Sequence, residues 1–130
     1  MRDILFRGKR IDNGEWVYGW FEMYPFGRWP VKASIIPAED AISGHYEHIE
    51  VDPSTVGQYT GLTDKNGKRI FEGDVFEWGY AGVKEFKYTV VYDAELTSFV
   101  GERRFGFVST NGVDLEIIGN IHDNPELMEG

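Results

Sequence analysis

Short runs of apolar residues alternate with polar ones along most of this chain, and glycine, proline or asparagine interrupts them every few positions. A period of two turns one set of side chains to a core and the other to water, so these runs predict β-strands. Asn-Gly occurs at positions 13–14, 66–67 and 111–112, each time between runs able to form strands. The pair suits a two-residue type I′ turn, which needs positive φ at both positions. Three hairpins are therefore predicted.

The first hairpin can be written in register. A two-residue loop at 13–14 pairs Ile11 with Trp16, Lys9 with Tyr18, Arg7 with Trp20 and Leu5 with Glu22 on one face. The other face pairs Arg10 with Val17, Gly8 with Gly19, Phe6 with Phe21 and Ile4 with Met23. That second face is apolar except near the turn, so Ile4, Phe6, Val17, Phe21 and Met23 are expected to point inward. The facing glycines leave room for another element. In the second hairpin Thr63 pairs with Ile70, Leu62 with Phe71 and Asp64 with Arg69, after which Glu72-Gly73-Asp74 turns the chain into the apolar strand Val75 to Trp78.

Further strands are expected at 31–37, 45–51, 86–92, 96–100, 105–110 and 113–118, with Phe86, Tyr88, Val90 and Tyr92 on one face. Helix is expected only as a turn near Asp52-Pro53-Ser54-Thr55-Val56 and at the tail, where Asn124 can N-cap and Pro125 take the first helical position. Many short strands are most economically arranged by limiting exposed edges. The expected fold is mainly β: antiparallel strands in a small, partly open SH3-like barrel plus an N-terminal β-hairpin, with little helix, in a single domain spanning 1–130.

Composition agrees with this reading and narrows the chemistry. The chain has 130 residues, among them 4 Trp, 7 Tyr, 9 Phe, 16 Gly and 5 Pro, which suits one domain of strands and tight turns. It contains no Cys, so disulfides, thiolate zinc sites and cysteine nucleophiles are excluded. No apolar stretch suits a signal peptide and none approaches the roughly 18 residues of a membrane span; no membrane association is expected. The net charge of -9 argues against general affinity for duplex DNA, which is driven by Lys and Arg releasing counterions. Residues 2–32 carry six basic and four acidic side chains, whereas 33–64 and 105–130 hold no Lys or Arg. The N-terminal hairpin is thus the locally basic region.

Several blocks together resemble the YopX family of phage and prophage proteins: Arg7-Gly8-Lys9-Arg10, Gly14-Glu15-Trp16-Val17-Tyr18-Gly19, Val56-Gly57-Gln58-Tyr59-Thr60-Gly61-Leu62 with Asp64-Lys65-Asn66-Gly67-Lys68, Ile70-Phe71-Glu72-Gly73-Asp74-Val75, and Ile118-Gly119-Asn120-Ile121-His122-Asp123-Asn124-Pro125-Glu126-Leu127. The stretch from Val56 to Val75 is the most specific. The resemblance implies an origin in a bacteriophage or integrated prophage, a place in the bacterial host's cytoplasm and a mainly β fold. It supplies no catalytic residues.

The sharpest candidate surface is the hairpin face bearing Arg7, Lys9, Trp16, Tyr18 and Trp20. Cations alternating with flat rings can neutralise and stack on single-stranded nucleic acid, or dock a protein partner. The same residues also suit a purely structural role, with the rings covered by the segment after Tyr24 or engaged in cross-strand cation–π pairs. His45 and His48 with Glu47, Glu50 and Asp52 invite a metal, but a three-residue spacing puts two strand side chains on opposite faces, so no metal and no cofactor is expected. Reading Asp64-Lys65-Asn66-Gly67 as a calcium loop puts Leu62 at its first ligand position and Gly73 at its last, so calcium is rejected there. Glu39-Asp40, Glu72, Asp74 and Glu77 single out no acid–base pair. The acidic stretches can serve solubility alone or offer a negative patch to a basic partner. The expected function is a phage or prophage accessory protein, a non-catalytic binding module for a host or phage protein. The alternatives are single-stranded nucleic-acid binding through the basic-aromatic face and an uncharacterised hydrolase; assembly with copies of itself stays open.

Overall fold

The protein is described from a computed structural model covering residues 5–24, 32–38, 47–78, 86–103, 106–109 and 115–129. The chain divides into two compact units, Met1–Tyr59 and Thr60–Gly130. Strands β1 (Phe6–Lys9), β2 (Trp16–Tyr24), β3 (Lys32–Pro37) and β4 (Ile49–Glu50) belong to the first, and β5 (Gly57–Thr63) runs from one unit into the other. The second unit continues with β6 (Arg69–Phe71), β7 (Asp74–Trp78), β8 (Phe86–Asp93), β9 (Ser98–Arg103), β10 (Gly106–Ser109) and β11 (Ile117–Asn120). Two antiparallel sheets result, ordered β4-β3-β2-β1-β5-β6 and β10-β9-β8-β7-β11. The mainly β, antiparallel architecture is as expected. A four-strand meander whose fifth strand returns beside the first is the order of an SH3-like barrel, but neither sheet closes into a barrel among the described residues.

Each unit has its own hydrophobic cluster. In the first, Ala33, Ile35 and Val51 are buried and Phe6, Val17, Phe21 and Val56 pack against them. Apart from Val51 and Val56, these are alternate positions on β1, β2 and β3, as a period of two requires. In the second, Ile70, Phe76, Tyr88, Val90, Phe99, Leu115 and Ile117 form the centre, with Phe76 and Tyr88 stacked at 5.5 Å. Phe86 and Tyr92, at the two ends of β8, lie on the same side as Tyr88 and Val90 yet stay exposed. Met23 is also exposed rather than inward, near the end of β2, although it pairs with Ala33 of the cluster. Ile4 lies outside the described residues.

The first hairpin keeps its expected faces but not its register. The pairs are Phe6 with Gly19, Arg7 with Tyr18, Gly8 with Val17 and Lys9 with Trp16, a slip of two residues. An even slip leaves every side chain on its predicted face, which is why the sorting survives. The loop is longer because only Gly14 takes positive φ, +72°. Arg10 N donates to Glu15 O at 2.9 Å and Gly14 N to Arg10 O at 2.9 Å, closing a loop over residues 11–14. Asn13 instead uses its side chain, accepting from Glu15 N at 2.9 Å, the local bond that short polar residues make in turns. Gly8 is needed where it stands: a Cβ there would lie 3.0 Å from Val51.

The second hairpin departs in the same way. Asp64 N donates to Lys68 O at 2.7 Å and Gly67, at φ +81°, donates to Asp64 O at 2.9 Å, so three residues form the loop instead of two. A turn followed by a left-handed glycine is the usual three-residue solution. The predicted pairings of Asp64 with Arg69 and its neighbours are therefore off by one. The third Asn-Gly lies outside the described residues. As expected, Glu72-Gly73 leads into β7, and Asp74, 1% exposed, accepts from Phe71 N at 2.8 Å.

Two predicted helical turns are present as 3-10 turns, Pro53–Thr55 and Pro125–Met128. Asp52 caps the first by accepting from Ser54 N. Asn124 does not cap the second through its side chain, because its Oδ1 accepts from Asn120 N at 3.3 Å. Of the strand expected over 45–51, the described residues 47–51 hold β4 and the bridge of Val51 to Arg10; 45 and 46 lie outside the described residues. There the backbone is shared: Val51 N donates to Ala33 O, while Ile11 N donates to Glu50 O and Asp52 N to Lys9 O.

Candidate functional site: the aromatic face of the first hairpin

Strand alternation places Trp16, Tyr18 and Trp20 on one face of β2, and the register sets Lys9 beside Trp16 and Arg7 beside Tyr18. All five predicted residues thus share a face. They do not form one uniform platform. Arg7 is only 4% exposed, with its guanidinium carbon 4.6 Å from the Trp16 ring centre, and Lys9 Nζ lies 5.7 Å from the same centre. Both cations gather on Trp16, a cross-strand arrangement worth about 0.5–2 kcal/mol depending on desolvation. Tyr18 and Trp20 remain open, at 44% and 49% exposure. The face therefore has a packed cationic end and an accessible aromatic end.

Next along β2, Glu22 pairs with Ser34 of β3. His48 Nδ1 lies 3.7 Å from Glu22 Oε2 and 3.4 Å from Ser34 Oγ. The residue types are those of a nucleophile–base–acid triad, but the geometry is not. A triad needs the acid on one ring nitrogen and the nucleophile on the other, and here both contacts fall on Nδ1. Ser34 is moreover 3% exposed and donates to Glu22 O at 3.2 Å.

Asp52 and Asp64, by contrast, have structural partners. Among the described residues no group of three or more metal-ligating side chains converges; His45 and the Glu39-Asp40 pair lie outside them. Asp52 is occupied by Ser54, whose N and Oγ lie 3.0 and 2.8 Å from Oδ1. Asp64 accepts from Asn66 N and Lys68 N at 2.9 Å each and from Ile117 N at 3.1 Å. Desolvation pushes this carboxyl upward, and the donors from Ile117, Lys68 and Asn66 outweigh it, so its pKa sits below the ordinary aspartate value.

Ile11 was not singled out by sequence, because the two-residue loop paired it with Trp16 inside the ribbon. The longer loop carries it to the tip, 57% exposed. Only the correct loop length would have revealed it.

An antiparallel, two-sheet protein presenting an aromatic strand face is the class these observations define. The chain belongs to the YopX family: the family described as YopX protein matches residues 5–129. It is similar to the crystal structure of protein EF1440 from Enterococcus faecalis, with a TM-score of 0.53 and 23% identity over 99% of this chain and 100% of that one. At that identity the likeness is one of fold. No curated protein matches.

Proposed function

We propose that this protein is a non-catalytic binding module that docks a protein partner on the Tyr18 and Trp20 end of the β2 face. The observation that carries this reading is the exposure of two neighbouring large rings on a strand held on both sides, by β1 and by β3. Together they leave about 200 Å² of mostly apolar ring surface open. Covering it would contribute about 4–5 kcal/mol before the costs of association. Aromatic residues on rigid backbone are the usual anchors of protein interfaces. Family membership adds to the proposal an origin in a phage or prophage, a cytoplasmic location and a host or phage protein as the partner.

Single-stranded nucleic acid is the second reading, favoured by Lys9 beside Trp16 next to the two open rings. Arg7 weighs against it, being buried on Trp16, as does the net charge of -9. Titrating tryptophan fluorescence with a short oligothymidylate at low and high salt separates the two. Salt-sensitive quenching lost in Trp20→Ala would establish nucleic-acid binding. No response to the oligonucleotide, with a partner captured from bacterial lysate by the native chain and not by Trp20→Ala, is the result expected here.

A further inference from the structure

The loop of the first hairpin carries a second feature, separate from the aromatic face. Ile11 stands at its tip between two grooves that share Ile11 and Arg10 in their walls. One, of about 330 Å³, is lined further by Asp12, Glu47, His48, Ile49 and Glu50. The other, of about 450 Å³, is lined further by Gly14, Pro53 and Thr55, with Lys9 and Asp52 at its sides.

The two grooves differ in chemistry. In the first, three carboxylates face one guanidinium and the His48 imidazole; the guanidinium is already held by Asp12 through bonds of 2.9 and 2.8 Å, and His48 Nδ1 lies 3.7 Å from Glu22 Oε2. Glu50 also has Lys32 3.6 Å away, an exposed pair of small energetic weight. Negative charge beside the apolar walls of Ile11 and Ile49 is what a Lys or Arg side chain needs, with its stem on hydrocarbon and its head on carboxylate. The second groove offers Pro53 and the other side of Ile11 to an apolar residue.

The loop between them is preorganised. Four backbone bonds hold it: Arg10 to Glu15, Gly14 to Arg10, Ile11 to Glu50 and Asp52 to Lys9. Asn13 adds its side-chain bond to Glu15 N. Little ordering is left to be done on binding, which favours affinity.

We infer that the Ile11 loop is a docking surface for an extended segment of a basic partner, taking a cationic side chain against Glu47 and Glu50 and a nearby apolar side chain against Pro53. The occupant is set by charge complementarity, and electrostatic steering toward a chain of net charge -9 assists it.

The test uses the full chain, labelled with nitrogen-15, and a set of blocked hexapeptides carrying one Arg and one Leu separated by zero to three Gly. At least one peptide is expected to give saturable amide shifts at Ile11, Gly14, Glu47 and Glu50. Removing both charges by Glu47→Gln with Glu50→Gln should weaken it about threefold. Ile11→Ser, an exposed change that leaves the fold intact, should weaken it about fivefold or more. Absence of saturable shifts with every spacing overturns the proposal, as do equal shifts when the peptide's Arg is replaced by Glu. Shifts confined to Tyr18 and Trp20 overturn it too, while leaving the aromatic-face reading standing; failure of that reading alone would leave the loop shifts unchanged.

Discussion

Asp64→Asn removes one charge from a carboxylate that holds the 64–68 loop to β11. Asp64 is 6% exposed and accepts three backbone N–H groups. An asparagine can keep one oxygen toward Asn66 and Lys68, but its amide NH₂ then faces the Ile117 N–H, donor against donor. Hydrogen bonds to a charged acceptor contribute roughly 1.5–3 kcal/mol each, so losing one and weakening two should cost about 2–3 kcal/mol at neutral pH. For a chain of this size that lowers Tm by about 8–12 °C. Folding lowers the Asp64 pKa, so in acid the unfolded chain binds a proton more readily than the folded one, and this contribution is lost as pH falls. The stabilisation is complete above the ordinary value of 3.8 and fades as pH drops through the lower folded-state value. Urea unfolding followed by tryptophan fluorescence at pH 7, 5, 4 and 3 measures the gap between native chain and variant. It should be full at pH 7 and 5 and narrow toward pH 3. A gap under about 0.5 kcal/mol at pH 7, far below the value of a charged hydrogen bond, would refute the reasoning. So would a gap that stays constant down to pH 3.

Other substitutions separate the structural claims. Asn13→Gly should cost about 0.5–1 kcal/mol in urea unfolding because the bond to Glu15 N disappears; a type I′ turn would tolerate the change freely. Phe76→Ala, at a residue with no exposure beneath Tyr88, should cost about 3–5 kcal/mol and is best read by calorimetry. Gly19→Ala would drive a Cβ into the Ile36 carbonyl and should loosen the β2–β3 pairing, seen as faster amide exchange at Phe21 and Ile35. Trp20→Ala, at a half-exposed ring, should cost no more than about 1 kcal/mol of stability while abolishing partner capture.

The alternation along β1 and β2 was legible because side-chain parity survives any even slip; Phe6, Val17 and Phe21 reach the core although every predicted pair was wrong. The turns depart from the expected two-residue form for one physical reason. A type I′ turn requires left-handed backbone at Asn13 and Asn66, whereas in the first loop only Gly14 and in the second only Gly67 takes that conformation. Asn13 engages the chain through its side chain, and Asn66 through its N–H to Asp64. Local propensity cannot separate a two-residue loop from one of three or four, since loop residues are also tied to distant segments, Ile11 to Glu50 and Lys65 to Leu115. That the five candidate residues share one face of the β1–β2 ribbon is legible from alternation. Their division into buried Arg7 and open Tyr18 and Trp20 is not, since it depends on the neighbouring strands.

The partner-binding role of the β2 face is tested most directly by photo-crosslinking. With p-benzoylphenylalanine in place of Tyr18, irradiation in bacterial lysate should yield a discrete protein adduct that disappears in a Trp20→Ala background. The same probe in place of Leu96, 51% exposed in the β8–β9 turn, should yield none. Equal adducts from both positions, or adducts removed by nuclease, would contradict a protein partner docked on Tyr18 and Trp20.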